Sequence, residues 1–341
     1  MNKRMAVLGT GAIGSSVGAD LTKAGYDVLL IDQWPAHVEA MKANGLHVSM
    51  REEELHVPVQ AAHLGELAAG WPRFDIVFLT AKSYDSCWLA HFIKPYLKPD
   101  GVLVSVQNSL NDEWVAPIIG YERDVATVVE LSAEVFEPAR VKRNTDRSHT
   151  WFAVGELHGR ITPRAQEIAQ ILGAAGIAEV TSNIWGAKWS KLIVNTMIMA
   201  VDGILGIRAA ELMDHPGLFR LCIRLGRETL EVGNALGYRL EPLFGVTAED
   251  LLRSPDEVLE KNLRAIVTTV GRHARSTVLQ DHLKGRRSEV VDYLNGLVAK
   301  KGRAAGVPTP VNEAIADLTK QIEEGVLKPN PANIELLREL M

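Results

Sequence analysis

Three glycines and one acid near the N-terminus have the types and spacing of a dinucleotide-binding turn. Gly9, Gly11 and Gly14 follow an apolar run, and Asp32 stands 18 positions after Gly14. The first glycine permits a tight turn, the second a close approach of the backbone to a pyrophosphate, and the third close packing of helix on sheet. The pyrophosphate would meet a helix N-terminus, where free N–H groups favour negative charge. The segment therefore predicts a dinucleotide site.

Asp32 bears on the choice between NAD(H) and NADP(H). A carboxylate at this spacing hydrogen-bonds the adenosine ribose diol and repels a ribose 2′-phosphate. No Arg or Lys stands at positions 33–36 to bind such a phosphate. We therefore expect NAD(H), held also by Ala12 and Ile13 of the turn. The alternative is that Asp32 is a solvated acid at a strand end.

Two further polar residues follow predicted buried strands. Lys82 comes shortly after the strand 75–79, and Asn108 shortly after the strand 102–106. Ligands of open α/β sheets bind beyond the carboxyl ends of the strands. Lys82 could contact the cofactor ribose or phosphates, and Asn108 could contact a ribose hydroxyl, the carboxamide or the substrate. Taken alone, each residue is more often a solvated loop residue.

A strongly apolar predicted helix carries Lys191 and Asn195, which are four residues apart and share a face. A lysine in apolar surroundings has a lowered pKa, which suits it to donate a proton near neutral pH. The alternative is a surface lysine whose charged end reaches solvent. Lys188 is the nearest rival, because it lies one turn earlier on roughly the same face.

A third segment with polar residues is predicted as one helix over 286–304. Glu289, Asp292 and Gly296 recur there at helical spacing, so one acid could turn inward while apolar residues pack. Spacing alone more often indicates a surface acid at Glu289.

Composition limits the classes of protein that these residues could serve. With 341 residues and 47% apolar content, the chain is long enough for two domains. A net charge of −5 without a basic stripe argues against nucleic acid or anionic membrane as a partner. No transmembrane stretch or signal peptide is expected. Cys87 and Cys222 lack metal-ligand spacing, so we expect small core residues, no metal and a reducing cytoplasm.

The elements that must position these residues divide the chain in two. Strands and helices alternate to about residue 183, which predicts a mostly parallel doubly wound sheet, with an added hairpin at 48–59. After Ile184 only helical patterns remain. Those helices are predicted at 184–205, 218–236, 248–252, 256–269, 286–304 and 310–324. We expect a dinucleotide-binding domain over 1–183, a helical domain over 184–341, and a site in a cleft between them.

The chain as a whole resembles the ketopantoate reductase family, the 2-dehydropantoate 2-reductases. The resemblance rests on the order and spacing of several short motifs: GTGAIG at 9–14 with its leading residues, TAK at 80–82, QNS at 107–109, WSKLIVN at 189–195, STVLQD at 276–281, GRRSEVVDYLNG at 285–296 and GVPTP at 306–310. It implies an N-terminal Rossmann-type domain and an all-α C-terminal domain. It also implies reduction of a 2-oxo acid with a nicotinamide cofactor, in pantothenate biosynthesis.

The resemblance assigns expected roles to matching positions. Lys191 corresponds to the general acid, and Glu289 to an acid that interacts with the substrate hydroxyl and the catalytic lysine. Asn195 and Thr277 correspond to substrate-binding positions. Lys82 and Asn108 correspond to cofactor and active-site contacts at the strand ends. The physics agrees, because hydride delivery to a ketone leaves an alkoxide that a positioned ammonium stabilises and protonates.

Three departures from the family pattern keep alternatives open. Met199 stands where members often have a second Asn, which removes one polar substrate contact. Asp32 stands where members that prefer NADPH have a basic residue, so NADP(H) is possible only by resemblance. An extension at 237–252 could reshape the pocket or an interface. The alternatives are an NAD-linked dehydrogenase of another hydroxy acid and a non-catalytic nicotinamide sensor. We expect a homodimer.

Overall fold

The computed structural model describes residues 3–70, 73–241 and 254–341. The chain divides into two compact units, Met1–Ile184 and Trp185–Met341. The predicted helix at 248–252 lies outside the described residues, and so does the 237–252 extension beyond residue 241.

The first unit alternates strands and helices around one large sheet. In chain order its elements are β1 (Arg4–Leu8), α1 (Ala12–Lys23), β2 (Asp27–Asp32), α2 (Pro35–Asn44), β3 (Leu46–Ser49), β4 (Glu54–Val57), β5 (Gln60–His63), β6 (Phe74–Leu79), α3 (Ser86–Ile93), β7 (Leu97–Val106), α4 (Asp112–Ile119), β8 (Asp124–Glu130), β9 (Ala133–Glu137), β10 (Arg140–Arg143), β11 (Trp151–Glu156), α5 (Pro163–Leu172) and β12 (Ile177–Val180).

Within the described residues, eight strands form this sheet in the order β12-β11-β8-β7-β6-β1-β2-β5. All neighbours are parallel except β8 and β11, which are antiparallel. The chain leaves β1 toward β2 on one side and later returns to β6 on the other. The carboxyl ends of β1, β2, β6 and β7 therefore meet at one edge, at the switch in strand order where such folds bind ligands. The sheet confirms the predicted Rossmann-type architecture.

A smaller sheet has the order β4-β3-β10-β9. Its β3–β4 pair is antiparallel and corresponds to the hairpin predicted at 48–59. Strands β9 and β10 were not predicted, because they are short and do not show a continuous apolar run: two of five residues in β9 and two of four in β10 are exposed. Helix α1 packs between the two sheets, since its small buried face carries Gly14, Gly18 and Ala19.

The second unit is helical throughout its described residues. Its helices are α6 (Ile184–Leu205), α7 (Ala209–Met213), α8 (Pro216–Ala235), α9 (Pro255–Val270), α10 (Thr277–Leu283), α11 (Val290–Tyr293), α12 (Asn295–Ala305) and α13 (Pro310–Glu323), followed by a 3₁₀ segment at Pro331–Leu340. The all-α C-terminal part is therefore confirmed.

Helix α6 is buried over most of its length because small residues of α8 let it approach closely. A Cβ at Gly233 would overlap the Trp189 indole, and a Cβ at Gly226 would meet Met197 at 2.8 Å. Trp189 is fully buried, donates its indole N–H to the Thr229 carbonyl at 3.0 Å and stacks on Tyr238. This packing fixes the rotation of α6 and hence the direction of its polar side chains.

The prediction of one element and the prediction of one core residue are wrong. The single helix predicted over 286–304 is two helices, because the backbone breaks at Leu294 (φ −119°, ψ −105°) between α11 and α12. A Cβ at Gly296 would overlap the Val291 carbonyl, so the break requires glycine there. Cys87, predicted as a core residue, is exposed on α3, whereas Cys222 is buried; both thiols are free.

Across residues 3–70, 73–241 and 254–341, no helix is long and apolar enough to cross a membrane. The same ranges contain no group of three or more His, Cys, Asp or Glu side chains that could hold a metal ion.

Candidate active site

The glycine turn after β1 has the geometry that its sequence predicts. Gly9 has a φ of +88°, and a Cβ there would lie 2.6 Å from the Cβ of Ala81. A Cβ at Gly14 would overlap the Thr80 hydroxyl and the Gly9 carbonyl. At Gly11 a Cβ would meet nothing within 4 Å, so open space lies beside the backbone where a pyrophosphate would need it. Packing thus requires glycine at Gly9 and Gly14, whereas a side chain at Gly11 would occupy open space.

Helix α1 begins directly after this turn. Gly11 is its N-cap and offers no side chain to the first N–H groups, and Ala12 and Ile13, both half-buried, form the first turn. The first N–H groups of a helix have no intrahelical partner. An anionic group of a dinucleotide can therefore accept hydrogen bonds here, as the resemblance implies.

Asp32 lies half-buried at the end of β2, and each of its carboxylate oxygens accepts one hydrogen bond. Oδ1 accepts the backbone N–H of Trp34 at 2.8 Å, and Oδ2 accepts the Thr10 hydroxyl at 3.2 Å. These bonds leave acceptor capacity on both oxygens, since a carboxylate offers about four lone-pair sites. Asp32 is therefore held at the strand edge in a form that can accept hydrogen bonds from a diol.

Lys82 and Asn108 lie on neighbouring loops after β6 and β7. Gln107 joins these loops by donating its amide N–H to the Ala81 carbonyl at 2.5 Å and to the Ser86 hydroxyl at 2.8 Å. Asn111 adds a bond to the Ser83 hydroxyl at 3.0 Å. Both Lys82 and Asn108 are half-buried.

The residue after Asn108 has an unusual backbone conformation. Ser109 has a φ of +69°, a left-handed conformation that is uncommon for a residue other than glycine. Such strain persists only where surrounding contacts impose it, and it recurs at functional loops.

On α6, Lys191 and Asn195 are buried side by side on one face. Lys191 is 5% exposed, and burial lowers the pKa of its ammonium to about 7. Asn195 is 1% exposed, and within the described residues neither atom of its amide has a hydrogen-bond partner. An unpaired buried amide costs about 1–3 kcal/mol, so it is the kind of group that a bound polar ligand satisfies. Lys188, one turn earlier, is buried as well.

Further along the same face, α6 contacts helix α10, which carries Thr277. The Thr277 hydroxyl lies 3.7 Å from the Met199 sulfur, one turn beyond Asn195. Asp202 follows on this face, fully buried, and its Oδ1 accepts the Ser276 hydroxyl at 2.7 Å. Ser276 is the N-cap of α10 and accepts the N–H of Leu279 at 3.1 Å. Burial raises the pKa of Asp202 well above its usual range.

Glu289 lies at the N-cap of α11, 6% exposed, rather than inside the long helix that was predicted. Its position is fixed by its neighbour Ser288, whose backbone N–H and hydroxyl both donate to Glu323 of α13, at 2.8 and 2.9 Å. The loop that presents Glu289 is therefore anchored by an acid 34 positions later in the chain.

Several residues that hold the glycine turn, Asp32 and the polar side chains around Lys191 were given no individual role from the sequence, although some of them stand within the motifs quoted above. In the first unit these are Thr10, Ser15, His37 and Thr80; in the second they are Asp202, Ser276 and Glu323. Only the serine at 276 carries a sequence signal, because Ser before a helical run is typical of an N-cap.

Two family models match the chain. The model described as "Ketopantoate reductase PanE/ApbA" matches residues 5–157, and the model of the C-terminal part of the same family matches residues 183–323. A 2-dehydropantoate 2-reductase of Archaeoglobus fulgidus is 30% identical over 95% of this chain and 99% of its own length. One from Lactococcus lactis is 25% identical over 94% and 98%.

Solved structures give the same result. A PanE/ApbA family ketopantoate reductase from Ralstonia eutropha has 29% identity and a TM-score of 0.78, over 94% of this chain and 99% of that one. A D-mandelate dehydrogenase with NADH and anilino(oxo)acetate has a TM-score of 0.83 at 23% identity, over 95% and 99%, and shows a shared fold. The resemblance found in the sequence is confirmed: the chain belongs to the ketopantoate reductase family of nicotinamide-dependent oxidoreductases.

Proposed function

We propose that the protein reduces the C2 carbonyl of a small 2-oxo acid, 2-dehydropantoate first among them, with NADH as cofactor and Lys191 as general acid. The observation that carries this proposal is the burial of Lys191 on an apolar helix, with a pKa lowered to about 7. A general acid works best when its pKa lies near the operating pH. The names of the relatives support the substrate class.

The proposed chemistry needs one proton and one hydride. Reduced nicotinamide, when bound, supplies the hydride to the carbonyl carbon. As the C=O π bond opens, its electron pair moves to the oxygen, and the Lys191 ammonium stabilises the charge and transfers a proton there. The products are a 2-hydroxy acid, the oxidised nicotinamide and a neutral lysine amine, which takes a new proton from solvent.

Other residues would hold the substrate. The Asn195 amide, unpaired within the described residues, can exchange hydrogen bonds with a carboxylate or hydroxyl, and Thr277 offers a hydroxyl on the same side of α6. Glu289 would orient the substrate hydroxyl and the lysine, and Asn108 would contribute from the loop after β7. These assignments combine the resemblance with the burial described above.

NADH is proposed over NADPH because of Asp32. Its carboxylate is held in place by Thr10 and Trp34, and no cation stands at positions 33–36 to bind a 2′-phosphate. Lys82 would contact the ribose or phosphates from the neighbouring loop. Ala12, Ile13 and the three glycines would form the pyrophosphate site.

The test is reduction of 2-dehydropantoate by the purified protein, followed by absorbance with NADH and NADPH in parallel. Lys191→Ala is expected to lower kcat by about 10² or more while NADH still binds. Lys188→Ala is the matched control, a second buried lysine on the same helix, and should keep most of the activity. A Lys191→Ala enzyme that retains more than about a tenth of wild-type kcat would contradict the general-acid role.

The same assay tests the cofactor assignment. Asp32→Ala should raise kcat/KM for NADPH relative to NADH, because the charge that repels a 2′-phosphate is gone. An unchanged ratio would show that Asp32 does not contact the ribose.

We also propose a cytoplasmic homodimer. Large apolar side chains stay exposed in the second unit, with Leu283 58% and Val326 74% accessible, and a dimer would cover such surface. Light scattering should give twice the 37.4 kDa of one chain. A mass of one chain at micromolar concentration would contradict the dimer.

A further inference from the structure

His37 of α2 lies fully buried beneath the dinucleotide turn, with both ring nitrogens hydrogen-bonded. The backbone N–H of Ala139 donates to Nδ1 at 2.9 Å, so Nδ1 carries a lone pair. The neutral ring then carries its hydrogen on Nε2, which donates to the Ser15 hydroxyl at 3.1 Å. Ser15 in turn donates to the Thr10 carbonyl at 2.7 Å. The Ala139 donor fixes the tautomer of His37, and the Thr10 carbonyl, which only accepts, fixes the direction of the bond from Ser15.

The charge state of His37 agrees with this relay. A protonated ring would place a hydrogen on Nδ1, directly against the N–H of Ala139. Burial is the largest influence on the pKa of His37 and lowers it, although the nearby charge of Asp32 acts in the opposite direction. The N–H of Ala139 therefore selects one neutral tautomer of the ring, with its hydrogen on Nε2.

The relay ends on the residue that joins the two halves of the proposed cofactor site. The Thr10 carbonyl accepts from Ser15, and the Thr10 hydroxyl donates to Asp32. Thr10 lies inside the glycine turn, between Gly9 and Gly11, and is fully buried. One residue thus ties the backbone that would meet the pyrophosphate to the acid that would meet the ribose.

His37 reaches the ribose side by a second route as well. Its ring stacks flat on the indole of Trp34, with centroids 5.2 Å apart and planes within 6°. The backbone N–H of Trp34 donates to Oδ1 of Asp32. His37 is therefore linked to the carboxylate of Asp32 in two ways. Hydrogen bonds run through Ser15 and Thr10, and ring stacking runs through Trp34.

The relay begins at the backbone N–H of Ala139, whose conformation is held by its surroundings. Ala139 stands in the turn between β9 and β10 and has a φ of +55°, a conformation that only surrounding contacts can keep on a residue with a side chain. Its N–H is aimed at Nδ1. A turn of the smaller sheet therefore supplies the backbone donor that orients His37.

We propose that His37 is a positioning residue for the dinucleotide: through Ser15 and Thr10 it sets the glycine turn and Asp32 in one arrangement, and so raises affinity for NADH without contacting it. The inference rests on the proposed function for the identity of the ligand. It concerns binding rather than the chemical step.

Two substitutions test the roles of the two ring nitrogens separately. In His37→Gln the amide nitrogen reaches the place of Nε2 and can still donate to Ser15. In His37→Asn the amide oxygen reaches the place of Nδ1 and can accept from Ala139, but the donor to Ser15 is lost. The Kd for NADH, measured by its fluorescence on binding, is expected to rise about five- to tenfold in His37→Asn and less in His37→Gln.

Further variants separate positioning from a general loss of structure. Ser15→Ala should repeat the effect of His37→Asn, and the double variant should add little, because both break one relay. Thr22→Ala is the matched control: its hydroxyl donates to the Gly18 carbonyl on the same helix, outside the relay. In every variant kcat at saturating NADH and the KM for the 2-oxo acid should stay at wild-type values.

The outcomes are distinguishable. Wild-type protein that does not bind NADH overturns the proposed cofactor and this inference together. Wild-type protein that binds NADH, with equal Kd in His37→Asn and Ser15→Ala, overturns the inference alone. A parallel rise in the KM for the 2-oxo acid would also overturn it, because that would indicate a general structural role. Should His37→Asn fail to fold, Ser15→Ala against Thr22→Ala decides.

Discussion

Lys191 combines a cost in stability with the proposed chemistry. Its side chain is long and is charged in water, yet it is almost wholly buried on the apolar helix α6. Burial disfavours the ammonium, which is why the pKa lies at about 7 rather than at the usual value for lysine. A residue placed for structure alone would be apolar here, so its burial argues for a role in chemistry.

This cost predicts a pH dependence of stability that needs no activity assay. Below pH 7 the folded and unfolded chains both hold the proton; between about pH 7 and 10.5 only the unfolded chain does. The free energy of unfolding should then rise with pH, by up to about 1.4 kcal/mol per unit from this group. Lys191→Met should lack that contribution and should be the more stable protein at pH 7.

Urea unfolding of the wild type and Lys191→Met at several pH values measures the difference, with Lys188→Met as control. A constant difference between wild type and Lys191→Met from pH 7 to 10 would show that Lys191 titrates normally.

Two glycines of the proposed cofactor turn have a local backbone reason that a sequence pattern records. Gly9 needs a positive φ, and Gly14 leaves no room for a Cβ. His37 and Asp202 could not be found in the same way. Each acts through a side chain or backbone group that comes from a distant part of the chain, Ala139 in one case and Ser276 in the other. A sequence pattern records periodicity but not such pairings.

At the scale of elements, α6 and α10 are joined through Ser276, whose hydroxyl donates to α6 and also accepts the capping N–H of α10. Ser276 caps α10 and donates to Asp202 on α6, and Gly203 leaves space for Val278 and His282 of α10. His282 donates from Nδ1 to the Gly203 carbonyl at 2.9 Å, because a carbonyl only accepts. These contacts fix where Thr277 stands.

We expect Ser276→Ala to destabilise the protein by about 1–2 kcal/mol, because it removes the cap and leaves Asp202 without its donor. It should also raise the KM for the 2-oxo acid, since Thr277 begins the same helix. Asp202→Asn is the control, because the neutral amide keeps an acceptor for Ser276 at nearly the same volume. Chemical unfolding and steady-state kinetics measure both effects. An unchanged KM in a destabilised Ser276→Ala protein would mean that Thr277 does not depend on the cap.

Prediction of elements succeeded where a pattern persisted over many residues. Helix α6 has its predicted bounds and β6 begins one residue before its predicted start, whereas β7 begins at Leu97, five residues before its predicted start. The failure at 286–304 has a physical reason: helical spacing continues through Leu294, but Gly296 allows a backbone path that a Cβ would block. Periodicity cannot detect a break of one residue.

On the scale of the whole molecule, each unit has its own interior. Apolar residues of β1, β6 and β7 are buried on both faces of the large sheet, and those of α6 and α8 form the interior of the helical unit. The alternation of strand and helix before Ile184, and its absence afterwards, predicted this division of architecture. The proposed roles are divided in the same way, with the cofactor turn in the first unit and Lys191 in the second.

That division predicts where NADH alone will stabilise the protein. At 100 times its Kd, a ligand adds about 2.7 kcal/mol to the free energy of unfolding of the structure that binds it. In hydrogen exchange followed by mass spectrometry, amides of residues 9–14, 32–34 and 80–82 should gain protection first, because backbone and side chains there would bind the cofactor. Slowly exchanging amides of β1 and β6 should follow, since the bound unit opens less often.

Helix α13 provides the internal control in the same experiment. Its N-terminal N–H groups are held by Glu228 of α8, within the helical unit, so NADH should leave its exchange unchanged. Protection of α13 equal to that of β1 would show that the two units open as one cooperative structure. Bound NADH without protection of residues 9–14 would place the cofactor elsewhere and overturn the site at the glycine turn.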